Sequence, residues 1–158
     1  MSAETITGGC QCGAVRFRAA GLGRASICHC RMCQKAFGSF FGPLVTAKGL
    51  EWTRGGPSKF ASSNVVTRGF CAACGTPLSY EYESGLDVAI GALDNPELAP
   101  PTVEVNPADK LSSFGELHRL PGRPQSETTG NAAFLASVVN HQHPDHDTAE
   151  WHSRESRL

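Results

Sequence analysis

Cys71-Ala72-Ala73-Cys74-Gly75 lies in the middle of the chain and has the spacing of a zinc knuckle. Such a turn needs a residue with positive φ after its second cysteine, and Gly75 adopts that conformation at no steric cost. A second pair, Cys10-Gln11-Cys12, is flanked by glycines and leads into a strand-like run. The two cysteines are two residues apart, so on an extended backbone their sulfurs lie on the same side. The pairs together offer four thiolates, the closed tetrahedral set of a structural zinc.

A third group of cysteines, Cys28, Cys30 and Cys33, falls within six residues at the start of a short helix predicted over Arg31–Phe37. The two pairs use the other four cysteines, so a zinc on this group keeps one position free for water or an incoming ligand. An open position is typical of a catalytic zinc. We therefore predict two zinc ions per chain, of which the three-ligand zinc is the more easily lost.

Other arrangements of the cysteines remain open from the sequence. His29 is a candidate fourth ligand of the middle group, although in an extended segment its side chain points away from its neighbours. Cys71 and Cys74 are also able to share a metal with two of the middle thiols. A further alternative is that the pairs are buried apolar cysteines, or that the CxxC is a redox motif.

The cysteine count and the first residues bear on the cellular compartment. Seven is an odd number, so a framework made only of disulfides leaves one thiol over. The opening MSAETITGG lacks the basic start and apolar stretch of a secretory signal. The longest apolar stretch, Ala132–Val139, is far shorter than the ~20 residues that span a bilayer. We expect a cytoplasmic protein without a membrane span, in which reduced cysteines bind metal.

Length and charge restrict the class of protein further. The 158 residues suffice for one domain with a tail. The formal net charge is -1, with acidic and basic residues interspersed. Such a chain lacks the positive field that binds phosphate backbones, which argues against a nucleic-acid partner and against a nucleic-acid-binding zinc ribbon.

Short β-rich runs broken by Gly, Pro and Asn fill the chain up to about Leu120, and they are AVRFRA, FFGPLV, SNVVTRGF, PLSYEY, LDVAIGAL and TVEV. In the first run, Val15 and Phe17 alternate with Arg16 and Arg18, which predicts a strand with one buried and one solvated face. The one helix expected in this region is too short for a βαβ crossover. We therefore predict a mainly β fold built of antiparallel sheet.

Beyond Pro121 the sequence becomes polar and rich in loop formers, and a short helix is predicted over Asn131–Asn140. The residues that follow have too little apolar content to form a core, so we expect a tail that is mobile unless it is docked. The histidines of this tail are expected to bind metal only adventitiously, and they are His141, His143, His146 and His152.

Several other side chains are assigned ordinary structural roles. The cations near the motifs are expected to be solvated, and they are Arg16, Arg18, Arg31, Lys35 and Arg68. Asp94 and Asn95 precede a proline and are expected to shape a turn. The aromatic residues expected in the core are Trp52, Phe60 and Phe70, and those expected either in the core or in a pocket wall are Phe37, Phe40 and Phe41.

The ligand set of the middle group indicates the kind of chemistry. A zinc with three thiolates carries a net charge of about -1 and is a weaker electrophile than a zinc with three neutral imidazoles. It is better suited to capturing a thiol, which becomes a bound thiolate at neutral pH and remains nucleophilic toward a carbonyl. We therefore expect a small-molecule substrate that contains sulfur.

The cysteine motifs and their flanks resemble one known family. The stretches GGCQCGAVRF, CHCRMCQKAFGSFF, GGPSKFASS, RGFCAACGTPLSY and IGALDNP occur in this order. They are similar to the glutathione-dependent formaldehyde-activating family, which is related to the centromere protein V domain. The resemblance covers roughly Ile6 to Leu120, and the order and spacing of three cysteine motifs make it specific.

This resemblance implies an Mss4-like β-tent of twisted antiparallel sheets with zinc-ribbon-like cysteine knuckles. It implies a zinc-binding domain over residues 4–120 and a polar appendage over residues 121–158. It also implies a structural zinc on Cys10, Cys12, Cys71 and Cys74, and a catalytic zinc on Cys28, Cys30 and Cys33. The implied activity is that of a carbon–sulfur lyase, in which glutathione and formaldehyde condense to S-hydroxymethylglutathione.

Gln34 departs from the family pattern, since members often carry arginine after the third cysteine. The change removes an anion contact near the reactive zinc, so the resemblance is weaker for the substrate than for the metal ligands. The rival hypothesis is a noncatalytic, zinc-stabilised binding module, which the same fold and the centromere relationship allow.

Overall fold

The computed structural model describes residues 5–151, and their backbone forms ten strands and three short α-helices. The strands are β1 Ile6–Gly9, β2 Arg16–Ala19, β3 Gly21–Cys28, β4 Gly42–Lys48, β5 Glu51–Arg54, β6 Ser58–Ala61, β7 Thr67–Phe70, β8 Pro77–Tyr82, β9 Gly85–Ala89 and β10 Val103–Val105. The helices are α1 Arg31–Phe37, α2 Gln125–Gly130 and α3 Ala132–Ser137. The mainly β fold predicted from the sequence is confirmed.

The strands are arranged in two sheets. The smaller sheet has the order β1-β2-β5, and the larger has the order β10-β3-β4-β9-β8-β7-β6. Every pairing is antiparallel except that of β10 with β3, in which Val105 lies beside Cys28. The predicted antiparallel sheet is thus confirmed, with this edge as the one parallel exception. A parallel neighbour needs a long crossover, and here the chain crosses the rest of the sheet before it returns.

Each of the six predicted β-rich runs contains a strand, whereas β1, β3, β5 and β6 were not predicted. Three of the four lack a clear apolar alternation. β1 ends in two glycines, β3 carries two glycines and an arginine, and every residue of β6 is exposed. These strands are held by backbone pairing with their neighbours, and that pairing leaves little trace in the local sequence.

The hydrophobic core is built from side chains of both sheets. Phe17 from the smaller sheet and Val45, Leu78 and Val88 from the larger are fully buried. Trp52 packs edge-on against Phe17 with ring centroids 5.8 Å apart, in agreement with its predicted place at the core. This two-sheet architecture matches the Mss4-like β-tent that the family resemblance implies.

Helix α1 has the bounds predicted from the sequence, Arg31–Phe37. Its N-terminal cap is Cys30, whose sulfur accepts a hydrogen bond from the Cys33 amide, and its C-terminal cap is Gly38, which has a positive φ of 57°. The cysteine spacing thus defines the start of the helix and the glycine defines its end.

Arg16 is buried, although the alternation in β2 predicted a solvated side chain. Only 3% of its surface is exposed, and its guanidinium forms a bidentate pair with Asp94, at 2.7 and 2.5 Å. Asp94 also accepts a hydrogen bond from the Thr7 hydroxyl, so it does more than shape the predicted turn. Its neighbour Asn95 does cap the following 3-10 turn. The ion pair explains how a charged residue is buried at this position.

Arg18, two residues along β2, is solvated as predicted and pairs with exposed Glu51. Burial raises the pKa of Asp94, but the hydrogen bonds from Arg16 and Thr7 outweigh it and hold that pKa below its usual range. The two arginines of one strand therefore give a matched comparison between a buried and an exposed ion pair.

The C-terminal region differs in part from the sequence prediction. The predicted helix over Asn131–Asn140 is shorter, at Ala132–Ser137, and α2 occupies part of the stretch that was expected to be a loop. Neither helix has a buried residue. Among the described residues, no helix combines the length and the apolar character that crossing a membrane requires.

We predict that Asp94→Asn lowers the free energy of unfolding at pH 7 by about 3 kcal/mol, because it removes the main partner of a buried guanidinium. Since the folded pKa of Asp94 lies below its unfolded value of about 3.9, this stabilisation is complete well above pH 4 and declines as the pH falls through the folded pKa. Denaturant titrations across this pH range measure the difference. Glu51→Gln is the control and should cost less than about 0.5 kcal/mol; equal costs for the two variants would contradict the prediction.

Candidate functional site

The four cysteines of the two pairs come together where hairpin loops of the two sheets meet. Cys10 and Cys12 lie in the loop between β1 and β2, and Cys71 and Cys74 lie in the loop between β7 and β8. Their sulfur atoms all lie within 4.8 Å of one another. The Gln11 amide also donates to the Thr76 hydroxyl at 3.0 Å, which joins the loops directly. We call this group the four-cysteine cluster.

The sulfur spacing of this cluster fits a tetrahedral metal. Cys10 and Cys12 have sulfurs 3.6 Å apart, and Cys12 and Cys71 have sulfurs 3.9 Å apart. A tetrahedron with zinc–sulfur bonds of about 2.3 Å has edges of about 3.8 Å. All of these cysteines are free thiols. The donor set therefore suits a closed four-thiolate metal site.

Local hydrogen bonds favour the charged form of one thiol in the four-cysteine cluster. Burial opposes ionisation of Cys74, but its contacts with the Thr76 hydroxyl and backbone outweigh that effect and lower its pKa to about 6. Burial raises the pKa of Cys71 and Cys10, and the Val15 amide donates to the Cys10 sulfur at 3.3 Å. Gly75 has the positive φ, 77°, that the knuckle predicts.

The remaining cysteines, Cys28, Cys30 and Cys33, form a second group, which we call the three-cysteine cluster. Their sulfurs also lie within 4.8 Å of one another. Cys28 ends β3, Cys30 caps α1 and Cys33 lies within α1. Among residues 5–151, no other Cys, His, Asp or Glu donor atom belongs to this group. The structure thus brings the seven cysteines together as four and three, and the mixed grouping with Cys71 and Cys74 does not occur.

His29 does not join the three-cysteine cluster. Its fully buried ring packs against Phe114 and Phe41, with centroids 4.8 and 6.3 Å away. Its Nε2 atom lies 3.6 Å from a carboxylate oxygen of Glu104. The ring therefore faces the segment after β10, which agrees with the expectation that His29 points away from its neighbours.

Two polar side chains that the sequence did not assign to the site contact the three-cysteine cluster. Arg68 is 5% exposed and donates from Nη2 to the Cys33 sulfur at 3.2 Å, so its expected place at the solvated surface is wrong. Asn106, with a positive φ of 52°, donates from Nδ2 to the Cys28 sulfur at 3.5 Å. The only signals in the sequence were an arginine in the strand before Cys71 and an asparagine before a proline.

The pKa values within the three-cysteine cluster diverge. Burial raises the pKa of Cys33 to about 12, although the adjacent Arg68 acts in the opposite direction. Burial also disfavours the Cys30 thiolate, but the Cys33 amide and the neighbouring thiols outweigh it and lower the Cys30 pKa. Local hydrogen bonds therefore favour the Cys30 thiolate, and Cys30 is also the most accessible of the three cysteines.

Gln34, the departure from the family pattern, is a buried residue of α1. Its amide nitrogen donates to the His29 carbonyl at 2.7 Å and to the Asp109 carbonyl at 3.3 Å, and its oxygen accepts from Arg31. Gln34 thus ties the helix to the segment after β10.

A cavity of about 510 Å³ opens beside the three-cysteine cluster. Its walls are formed by Arg24, Ser26, Cys28, Cys33, Leu44, Val65, Val66, Tyr80, Tyr82, Glu83, Ser84, Asp87 and Val105. This volume is in the range of small-molecule sites. Two of the three clustered thiols are therefore part of the wall of a cavity.

The other flank of α1 carries a shallower hollow, where Met32 and Phe60 are about half exposed beside Arg31 and Lys35. The expectation that Phe60 belongs to the core is wrong, because β6 is an edge strand whose residues are all exposed. Its ring instead packs on Phe70 at 6.2 Å.

The three phenylalanines around α1 have different roles. Phe37 packs against the core, Phe41 contacts the His29 ring, and Phe40 is 48% exposed. None of the three lines the cavity beside the cysteines.

Residues 143–151 of the tail dock on the loop of the four-cysteine cluster. The His143 amide donates to the Gln11 carbonyl at 2.7 Å, and Trp151 Nε1 donates to the Cys12 carbonyl at 2.8 Å. Asp147 pairs with Arg16 at 2.7 Å. These contacts supply the docking that the sequence left open. The expectation for His152 lies outside the described residues.

Nearby contacts complete this docking surface. Arg54 donates to the Thr148 carbonyl at 2.5 Å, and the His143 ring contacts the Thr148 hydroxyl at 3.0 Å. Gly13 lies so close to the rings of His143 and Trp151 that a Cβ atom there would overlap both. The tail histidine at 143 therefore has a structural role, which the sequence did not predict.

Comparison with known proteins identifies the family. The model of the glutathione-dependent formaldehyde-activating enzyme family matches residues 5–108. The chain belongs to this family. The matched region contains all ten strands, α1 and both cysteine clusters, whereas the docked tail lies outside it.

Among solved structures, the chain is similar to a crystal structure of a Rhodobacter sphaeroides protein, with 23% sequence identity and a TM-score of 0.47. The alignment covers 61% of this chain and 99% of that one. No curated protein matches the chain.

We predict that Trp151→Phe makes the four-cysteine cluster react about fivefold faster with a disulfide reagent such as DTNB. The variant loses one hydrogen bond worth about 1 kcal/mol and keeps the aromatic ring, so the loop opens more often. Stopped-flow absorbance at constant pH measures the rate at which the cysteines react with the reagent. Phe134→Ala, in exposed α3, is the control; the same rate for wild type and Trp151→Phe would show that the tail does not protect the cluster.

Proposed function

We propose that this family member is a zinc-dependent carbon–sulfur lyase or synthase, which adds a small thiol such as glutathione to an aldehyde such as formaldehyde. The observation that carries the proposal is the three-cysteine cluster. It has three converging thiols, no fourth donor among residues 5–151, and a cavity that Cys28 and Cys33 line. A metal held there keeps a coordination position for a substrate.

The proposal gives the two clusters different roles. Cys10, Cys12, Cys71 and Cys74 hold a structural zinc, because four thiolates complete its coordination. Thiolate donors favour zinc over hard cations such as magnesium and calcium. The position of this cluster between the loops of the two sheets supports a structural role.

The second zinc is assigned to Cys28, Cys30 and Cys33. When bound, it would lower the pKa of a substrate thiol and so supply a thiolate at neutral pH. The three cysteines bring three negative charges, and the buried guanidinium of Arg68 brings a compensating positive charge to Cys33. Asn106 and the Cys33 amide donate to the other two sulfurs and fix their orientation.

The cavity provides the place for the reactants. Leu44, Val65 and Val66 give part of its wall an apolar surface. Burial raises the pKa of Tyr80 in the same cavity, so its hydroxyl stays protonated and serves as a hydrogen-bond donor. In the overall reaction the thiol S–H bond breaks, a carbon–sulfur bond forms at the carbonyl carbon, and the carbonyl oxygen gains the proton.

We predict two zinc ions per wild-type chain and one in Cys30→Ser, because two thiols retain a metal poorly. Glutathione should strengthen binding of the second zinc in the wild type, and Cys30→Ser should lose formation of S-hydroxymethylglutathione. Elemental analysis and NMR detection of the adduct measure these quantities. Met32→Ala, an exposed residue of the same helix, is the control.

A single zinc that responds neither to glutathione nor to Cys30→Ser would contradict the proposed reaction. That result would favour a noncatalytic, zinc-stabilised binding module.

We predict that Arg68→Met weakens binding of the second zinc about 10- to 100-fold and leaves the first unchanged. The substitution retains an apolar stem of similar length but removes the charge and the donor that face Cys33. Competition with a chromophoric chelator separates the two affinities. Lys59→Met, from an exposed ion pair with Glu81 on the same sheet, is the control; equal affinity in wild type and Arg68→Met would refute the role given to the guanidinium.

A further inference from the structure

One face of the larger sheet leads from the three-cysteine cluster to a group of charged side chains. Arg24, Ser26 and Cys28 alternate along β3 and all line the cavity. Asp87 of β9 lies opposite Tyr80 of β8, and both line the same cavity. The cysteine sulfurs and the charged side chains therefore line one continuous surface.

The length of this surface limits the size of a ligand that uses both ends. Arg24 precedes Cys28 by four residues, which separates their Cα atoms by about 13 Å along the strand. An extended peptide covers at most about 3.6 Å per residue. A thiol compound that reaches from the cysteines to the Arg24 end is therefore about as long as a tripeptide.

The charged side chains at the Arg24 end of the cavity have few bonding partners within the protein. Within residues 5–151, the side chains of Arg24 and Glu83 make no hydrogen bond or ion pair. Asp87 accepts one long hydrogen bond, from the Tyr82 hydroxyl at 3.4 Å. A cation and two anions thus line one cavity without neutralising one another through direct contact.

Arg24 and Asp87 act on the same part of the cavity. Burial and then the Asp87 carboxylate raise the pKa of Tyr82, whereas the Arg24 guanidinium acts in the opposite direction. Both charges are therefore within electrostatic reach of one phenol, although they lie on different strands.

This combination of charges matches an α-amino acid group, which carries an ammonium and a carboxylate on one carbon. A phosphate would meet repulsion from Asp87 and Glu83, and a simple alkyl thiol would leave all three charges unmatched. The charged side chains of the cavity thus discriminate among the small thiols that can reach the three-cysteine cluster.

We propose that Arg24 and Asp87 bind the α-amino acid head group of the thiol substrate, Arg24 its carboxylate and Asp87 its ammonium. The inference rests on the proposed function for the placement of the substrate sulfur at the three-cysteine cluster. It makes the cavity selective for peptide-like thiols such as glutathione, and it assigns Arg24 and Asp87 to substrate specificity.

The test is calorimetric titration of the zinc-loaded protein with S-methylglutathione, which keeps the head group but has no thiol to react. We expect binding to the wild type and about tenfold weaker binding to Arg24→Gln and to Asp87→Asn, since each variant loses one charge-assisted hydrogen bond. Arg24→Lys should retain part of the affinity because it keeps the charge. Arg18→Gln, in the smaller sheet, is the control and should bind as the wild type does.

Steady-state kinetics give a second readout. With glutathione and formaldehyde, Arg24→Gln should raise the KM for the thiol about tenfold and change kcat less than twofold, whereas 2-mercaptoethanol should react equally with the wild type and the variant. Absence of S-methylglutathione binding to the wild type, or unchanged binding in both charge variants, overturns the head-group site. Because the titration involves no reaction, binding that depends on Arg24 and Asp87 without adduct formation would uphold this site and refute only the proposed function.

Discussion

The convergence of four thiols from two hairpin loops is the constraint on which the rest of the structure depends. Cys10 and Cys12 lie in a loop of the smaller sheet, and Cys71 and Cys74 lie in a loop of the larger, so the two sheets meet at this cluster. The sheets bury a common core beneath it. The sulfur spacing suits a metal at the centre of the cluster, whose positive charge would offset the repulsion among four thiolates.

The two cysteine clusters show how the same donor atom serves different purposes. The four-cysteine cluster has a closed donor set, whereas the three-cysteine cluster has an incomplete set beside a cavity. Arg68 marks the difference, because a buried guanidinium against Cys33 offsets part of the negative charge that three thiolates concentrate there. In a family named for formaldehyde activation, an incomplete donor set of this kind leaves room for an additional ligand.

The docked tail is an addition to the part of the chain that the family model covers. Its contacts with Gln11, Cys12 and Arg16 cover the loop of the four-cysteine cluster. The charged cavity is on the larger sheet and involves none of these tail residues. The tail contacts and the charged cavity therefore lie in different parts of the molecule and can be varied separately by mutation.

The sequence alone determined the features whose causes are local. The spacing of Cys28, Cys30 and Cys33, the knuckle glycine at Gly75 and the bounds of α1 depend on residues within a few positions of one another, and the structure places them as predicted. Only the tertiary structure decided the burial of Arg16 and Arg68, the parallel pairing of β10 and the docking of the tail. Each of these depends on a partner far away in the chain, as Arg68 depends on Cys33 and Trp151 on Cys12. Local patterns carry no record of such partners, because the free energy that buries a charge or docks a segment comes from groups that only folding brings together.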